Sequence, residues 1–145
     1  MSDVECDAYG NEREDGFLGF RLNRLEKCWT KNDLLDYMNC DKNNGQIITT
    51  AFILKKTPKN IELIKEWYES MCMKSYKLLN DDDSNTINDS CFIEHRHDQS
   101  ILSCLIKTKR NDAIILDDET YEVFDGKFDS NLAKKYPIWA QRLKY

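Results

Sequence analysis

The sequence predicts an α/β fold, a mixed sheet with flanking helices. Three observations carry this. Short β-rich runs alternate with longer helical patterns. The stretch Gln46 to Lys55 is apolar and β-branched (Ile47, Ile48, Thr49, Thr50, Phe52, Ile53, Leu54). A polar cluster, Glu94-His95-Arg96-His97-Asp98-Gln99-Ser100, runs straight into Ile101, Leu102, Leu105 and Ile106, an apolar stripe at helical spacing. The expected order is strand, helix, strand, helix, loop, helix, strand, then a short tail.

Residues 1–15 are polar and lack periodicity, so an irregular N-terminal segment is expected there, with one α/β domain over residues 16–145. Phe17 to Leu22 alternates apolar positions and reads as a strand. Thr30-Lys31-Asn32-Asp33 has the form of a capping box and opens a helix through Leu34, Leu35, Tyr37 and Met38. Asp41 to Gly45 is turn material. Phe17–Leu22 and Gln46–Lys55 are expected as adjacent central strands. Thr57-Pro58 starts the next helix, with Thr as N-cap and Pro in the first turn. That helix should run to about Asn80 and bury Ile61, Ile64, Trp67, Tyr68 and Met71. Ala113 to Leu116 is a short strand, and Pro137-Ile138-Trp139 a docking segment near the C-terminus.

Composition narrows the function classes. The chain has 145 residues, 41% hydrophobic and 11% aromatic, which is globular rather than disordered. Its net charge of −5 and lack of long Lys/Arg blocks exclude duplex nucleic acid as the expected partner. No apolar run is long enough to span a membrane. No apolar leader follows Met1, which points to the cytoplasm. Six cysteines lie 12 to 32 residues apart with no C-x-x-C pair, so paired-ligand zinc is unsupported and free thiols are expected. Asn88-Asp89-Ser90 matches a glycosylation sequon and, without a leader, reads as fortuitous.

Several chemistries are weakened by what the chain lacks. Neither a Gly-x-Ser-x-Gly elbow nor the common phosphate loops occur. A calcium loop beginning at Asp81 fails, because Thr86 and Phe92 stand where Gly and Glu are needed. Asp81-Asp82-Asp83 still contains a bare Asp-x-Asp, and Asp117-Asp118-Glu119 is a weaker acidic group of the same kind. A Cys/His pair stays open, since Cys91 and Cys104 flank the histidines in sequence. The polar cluster from Glu94 to Ser100 falls where a helix begins. There, unpaired N–H groups and a positive dipole end can position a carboxylate or hold an anion. The plainer alternative is that Asp98 or Ser100 caps the helix.

Four segments, in order, resemble small GT-A-type glycosyltransferases. Glu94-His95-Arg96-His97-Asp98-Gln99-Ser100-Ile101-Leu102-Ser103 is similar to that family's His-Arg-His-Asp-Gln-Ser signature. Glu26-Lys27-Cys28-Trp29-Thr30-Lys31-Asn32-Asp33-Leu34 resembles its Glu-Lys-x-Trp-Thr-Lys-x-Asp-Leu segment. Gln46-Ile47 through Lys55-Lys56-Thr57-Pro58 with Glu66-Trp67, and Tyr136 to Leu143, match in order and spacing. The resemblance implies the C-terminal, acceptor-side half of a Rossmann-like nucleotide-sugar transferase domain. Such enzymes move a sugar from a nucleotide-sugar donor to a glycan or other hydroxyl acceptor, usually with a divalent cation (Mn²⁺ or Mg²⁺). The donor-binding half would lie upstream, and a non-catalytic remnant that keeps the fold is the alternative.

On this resemblance and local chemistry, Asp98 and Gln99 are the catalytic candidates. Asp98 would deprotonate or orient the acceptor hydroxyl, and Gln99 would hydrogen-bond the sugar. His95, Arg96, His97, Trp29, Lys31 and Gln46 are the substrate-binding candidates, with Arg96 or a protonated His97 facing the diphosphate. No metal ligand is assigned.

Overall fold

The computed structural model describes residues 16–82 and 85–117. Segment 1–15, Asp118-Glu119 and the match from Tyr136 to Leu143, with its Pro137-Ile138-Trp139, lie outside the described residues.

The fold is mixed α/β. Strand β1 (Phe17–Leu25) is followed by a single turn, α1 (Glu26–Trp29), and by α2 (Asn32–Met38). Then come β2 (Gly45–Ile47), β3 (Ile53–Leu54), α3 (Pro58–Tyr76), α4 (His97–Lys109) and β4 (Ile114–Asp117). β1 pairs with all three other strands, antiparallel with β2 and β3 and parallel with β4. Leu18 lies opposite Ile114 and Ile53, and Arg21 opposite Asp117 and Ile47. β4 therefore occupies one edge of β1, and β2 and β3 follow each other along the opposite edge.

The alternation read from the first strand has a physical meaning here. Phe17 joins Leu34, Ile47, Leu63, Ile101, Leu102 and Leu105 in the core between sheet and helices. Leu18 and Phe20 belong to a second cluster with Ile48 and Ile114. All four apolar residues expected to anchor the last helix (Ile101, Leu102, Leu105, Ile106) are buried.

The long strand expected over Gln46–Lys55 is instead broken. The Ile48 N–H still donates to the Phe20 carbonyl of β1 (3.0 Å), but the Thr49 N–H donates to Gln99 Oε1 on α4 (3.2 Å), and pairing with β1 resumes only at β3. β-propensity over this run cannot register a side-chain acceptor that arrives from 50 residues away. The capping box at Thr30 also fails. Lys31 is the N-cap of α2, and the Thr30 hydroxyl donates instead to Glu26 Oε1 (2.7 Å). At the other end of α2, Asn39 adopts the left-handed conformation (φ 50°) and its N–H closes on Asp36 and Leu35 carbonyls, an ordinary C-terminal stop.

The start of α3 is as expected, with Thr57 Oγ1 accepting from the Asn60 N–H and Pro58 in the first turn. Its buried face is not. Ile61, Ile64 and Tyr68 are exposed, and Trp67 and Met71 are partly buried. The inward stripe is Asn60, Leu63, Trp67 and Ser70. Asn60 sets this rotation. Its amide donates to the Gly16 and Lys55 carbonyls, and its oxygen accepts from Arg110 Nη1 (2.7 Å). A side chain so engaged must face inward, and that turns the isoleucines out.

α3 does not continue to Asn80. Lys74, Ser75 and Tyr76 all have positive φ (50°, 55° and 66°), one left-handed turn without glycine. Each such residue costs roughly 1–2 kcal/mol. The segment from Lys77 to Asn80 anchors this turn. Leu78 is buried, Lys31 Nζ donates to the Lys77 and Asn80 carbonyls, and His95 Nε2 donates to the Leu78 carbonyl.

Candidate functional site

Glu26 is the centre of a buried polar network that ties the sequence motifs together. It is fully buried, at the first residue of α1 where β1 ends. Oε1 accepts from Thr30 Oγ1 (2.7 Å) and Gln46 Nε2 (2.9 Å). Oε2 accepts from Ser103 Oγ (2.6 Å) and Lys107 Nζ (2.6 Å). Four donors for one carboxylate is the satisfaction a buried charge needs. Gln46 continues the network, with Nε2 also near Thr30 Oγ1 and Ser100 Oγ, and Oε1 accepting from Gln99 Nε2 (2.7 Å).

This network places Gln46 and Gln99 behind the start of α4. Gln46 is fully buried. Both ends of the Gln99 amide are engaged, one by Gln46 and one by Thr49. Ser100 fastens the helix start: its hydroxyl accepts from the Arg96 N–H (3.2 Å) and donates to the Trp29 carbonyl (3.1 Å). Of the two expected caps, Ser100 therefore does hold a backbone donor, whereas Asp98 caps nothing.

Lys31 and His95 form a second buried pair. Lys31 is 3% exposed, and burial lowers its pKa despite the pull of Asp33. His95 is 4% exposed. The Lys31 N–H donates to His95 Nδ1 (3.3 Å), so the proton resides on Nε2, which donates to the Leu78 carbonyl (3.0 Å). Burial, the largest influence, lowers the His95 pKa to about 4 from 6.5, and the imidazole is neutral at pH 7. The unfolded chain therefore binds a proton near pH 6.5 that the folded chain refuses until about pH 4. Stability should fall by about 3 kcal/mol as pH drops through that window. His95→Gln, which keeps a donor toward Leu78 but does not titrate, should flatten that loss. Urea midpoints of both proteins at pH 7 and 4.5 check it, and parallel curves would contradict it.

The exposed rim of the signature is a different environment. Arg96 lays its guanidinium over the Trp29 indole (4.5 Å to the ring centroid) and pairs with Glu94 (2.8 Å). Arg24 lies over the same ring at 5.1 Å. Trp29 is partly buried, with both cationic groups against its ring. His97 has a positive φ of 48°, and its Nε2 lies 3.0 Å from both oxygens of Asp81. That hydrogen bond lowers the Asp81 pKa. In sequence Asp81 is legible only as part of an Asp-x-Asp; its partner here is an imidazole.

Asp98 stands apart from its neighbours. It is exposed in the first turn of α4, and among the described residues its carboxylate has no hydrogen-bond or ion-pair partner. The backbone beneath it is fixed, because the Asp98 carbonyl accepts from Trp67 Nε1 (2.9 Å). Arg96 pairs with Glu94 and His97 Nε2 faces Asp81, so neither side chain is directed to Asp98.

Two features lie elsewhere. A disulfide joins Cys28 to Cys91 across 63 residues, correcting the expectation of free thiols for that pair. It sits beside the Ile93 N–H to Cys28 carbonyl bond (2.8 Å), so it binds the loop before the signature to α1. Glu26, Cys40 and Cys104 are the only three potential metal ligands that converge among the described residues. They do not fit Mn²⁺ or Mg²⁺. Two ligands are soft thiols, and the carboxylate already takes four donors, one a lysine ammonium.

Comparison with known proteins gives no match: no family model, no curated protein and no solved structure. The likeness to glycosyltransferases therefore rests on the motif residues themselves. No helix among the described residues is long and apolar enough to cross a membrane.

Proposed function

We propose that this chain is the acceptor-side half of a GT-A-like, Rossmann-like nucleotide-sugar transferase, acting on a glycan or other hydroxyl acceptor. One observation carries the reading. Within the signature, the other polar side chains are engaged, and Asp98 alone offers an unpartnered, exposed carboxylate on a rigid helix start. Asp98 would take the proton of the acceptor hydroxyl as that oxygen attacks the anomeric carbon and the nucleoside diphosphate leaves. Arg96, held over Trp29, would face the departing diphosphate. His97, oriented by Asp81, would add a donor on the same rim.

Gln99, Gln46, Lys31 and His95 act in this scheme by position. Each would have to give up an internal bond to reach a substrate, so they set the helix start on which Asp98 sits. A divalent cation belongs to the resemblance, and no step here is routed through it. The test is nucleoside-diphosphate release from UDP- and GDP-sugars with Mn²⁺ and a panel of sugar acceptors. With donor supplied at millimolar concentration to offset weak binding, acceptor-dependent release is expected, and none with any donor would contradict the reading.

A non-catalytic module that keeps the fold is the second reading, favoured by the burial of Lys31, Gln46 and His95. Donor affinity bears on both. Among the described residues no Asp-x-Asp lies on a strand, and Asp81 is already paired with His97. Isothermal titration of the chain with UDP- and GDP-sugars plus Mn²⁺ should therefore show binding weaker than micromolar. Micromolar binding would place the donor contacts within these 145 residues.

Residence follows from the cysteines. A reducing cytoplasm would hold Cys28 and Cys91 as thiols, whereas their bridge persists in an oxidising compartment. The bridge thus argues against the cytoplasmic placement expected from the sequence.

A further inference from the structure

Cys40 and Cys104 have no role in the proposed site, yet the fold brings them together. Cys40 follows the left-handed Asn39 that ends α2, and Cys104 lies mid-way along α4. Their sulfurs and a Glu26 oxygen all lie within 4.8 Å of one another. Cys104 is fully buried, and Cys40 is partly exposed at the edge of the same core cluster.

Two chemistries suit a close thiol pair: a soft cation or a cross-link. The cation is disfavoured by its surroundings. Glu26 is saturated by Thr30, Gln46, Ser103 and Lys107, and the Lys107 ammonium lies 2.6 Å from Oε2. A metal ion would have to displace that ammonium or sit beside it. The cross-link needs no third ligand, only that two sulfurs already within 4.8 Å of each other close to bonding distance, and the molecule already carries one disulfide.

We propose that Cys40 and Cys104 form a second disulfide, made by exchange with a small-molecule disulfide such as oxidised glutathione. The partly exposed Cys40 thiolate attacks the oxidant, forms a mixed disulfide and releases one glutathione thiol. Cys104 then loses its proton and attacks the Cys40 sulfur, releasing the second glutathione thiol. Two protein S–H bonds are lost, one S–S bond is gained, and the oxidant is reduced to two thiols. The neighbouring Cys40 thiol, and burial beside Glu26, raise the Cys104 thiol pKa, so the second step should be the slower one. The product clamps the end of α2 onto α4, the helix whose first turn carries Asp98.

The test uses the full chain equilibrated in a glutathione redox buffer at pH 8. It is then unfolded in guanidinium, alkylated, digested and mapped by mass spectrometry. A Cys40–Cys104 linked peptide, two hydrogens lighter than the sum of its free thiol forms, is expected beside Cys28–Cys91. Cys40→Ser should then leave Cys104 fully alkylated without disturbing Cys28–Cys91. The proposal is overturned if both cysteines are alkylated while Cys28–Cys91 is bridged. Glutathione retained on Cys40 with Cys104 free, a bridge from either to another cysteine, or a metal ion retained in the native mass would overturn it equally.

Discussion

Glu26→Gln should destabilise the fold by about 3–5 kcal/mol, the usual cost of removing one partner from a buried ion pair. The amide fills the same space but leaves the Lys107 ammonium, 9% exposed, without its counter-charge. Its single NH₂ also faces donors wherever it is placed, Thr30 and Gln46 at one end or Ser103 and Lys107 at the other. The loss should be partly recovered in Glu26→Gln with Lys107→Met, because the second change removes the stranded charge. Urea unfolding of the parent, the single and the double variant gives the comparison. A single variant within about 1 kcal/mol of the parent would show that this network does not hold the start of α4, contrary to the general cost of stranded buried charge.

Much of the framework was legible because it depends on local patterns. The Ile101, Leu102, Leu105 and Ile106 stripe, the Thr57-Pro58 start and the alternation from Phe17 are short-range signals, and all three hold. The failures have one physical origin: a polar side chain from elsewhere in the fold decided the outcome. Asn60 rotated α3 so that Leu63 and Trp67 face the core, although Ile61, Ile64 and Tyr68 are equally apolar. Gln99 drew the Thr49 N–H out of the expected strand. Glu26 took the Thr30 hydroxyl that a capping box would have used.

The site was legible in its membership but not in its division of labour. The motif residues do converge: Trp29, Lys31, Gln46 and the segment from His95 to Gln99 surround one helix start. Glutamine, lysine and histidine serve equally well as substrate ligands or as internal connectors, and residue type cannot separate the two. Burial does, and it assigns Lys31, Gln46 and His95 to the interior. Glu26, Ser103 and Lys107 were missed as network members. In sequence they look like surface charges and helix polar positions. The Cys28–Cys91 pairing was illegible for a different reason: six cysteines without a spacing motif do not specify partners.

The proposed sugar transfer makes the Asp98 carboxylate its general base. Asp98→Asn keeps the side-chain shape, and because the carboxylate has no described partner its loss should leave the thermal midpoint unchanged. Only charge and basicity are removed. The most direct measurement is therefore kcat for acceptor-dependent nucleoside-diphosphate release, parent against Asp98→Asn, with melting curves recorded on the same preparations. In Asp98→Asn, kcat should be lower by roughly 10²–10⁴, the contribution of a positioned general base, at an unchanged melting temperature. Turnover within a few-fold of the parent would contradict it and leave Asp98 a solvated surface residue.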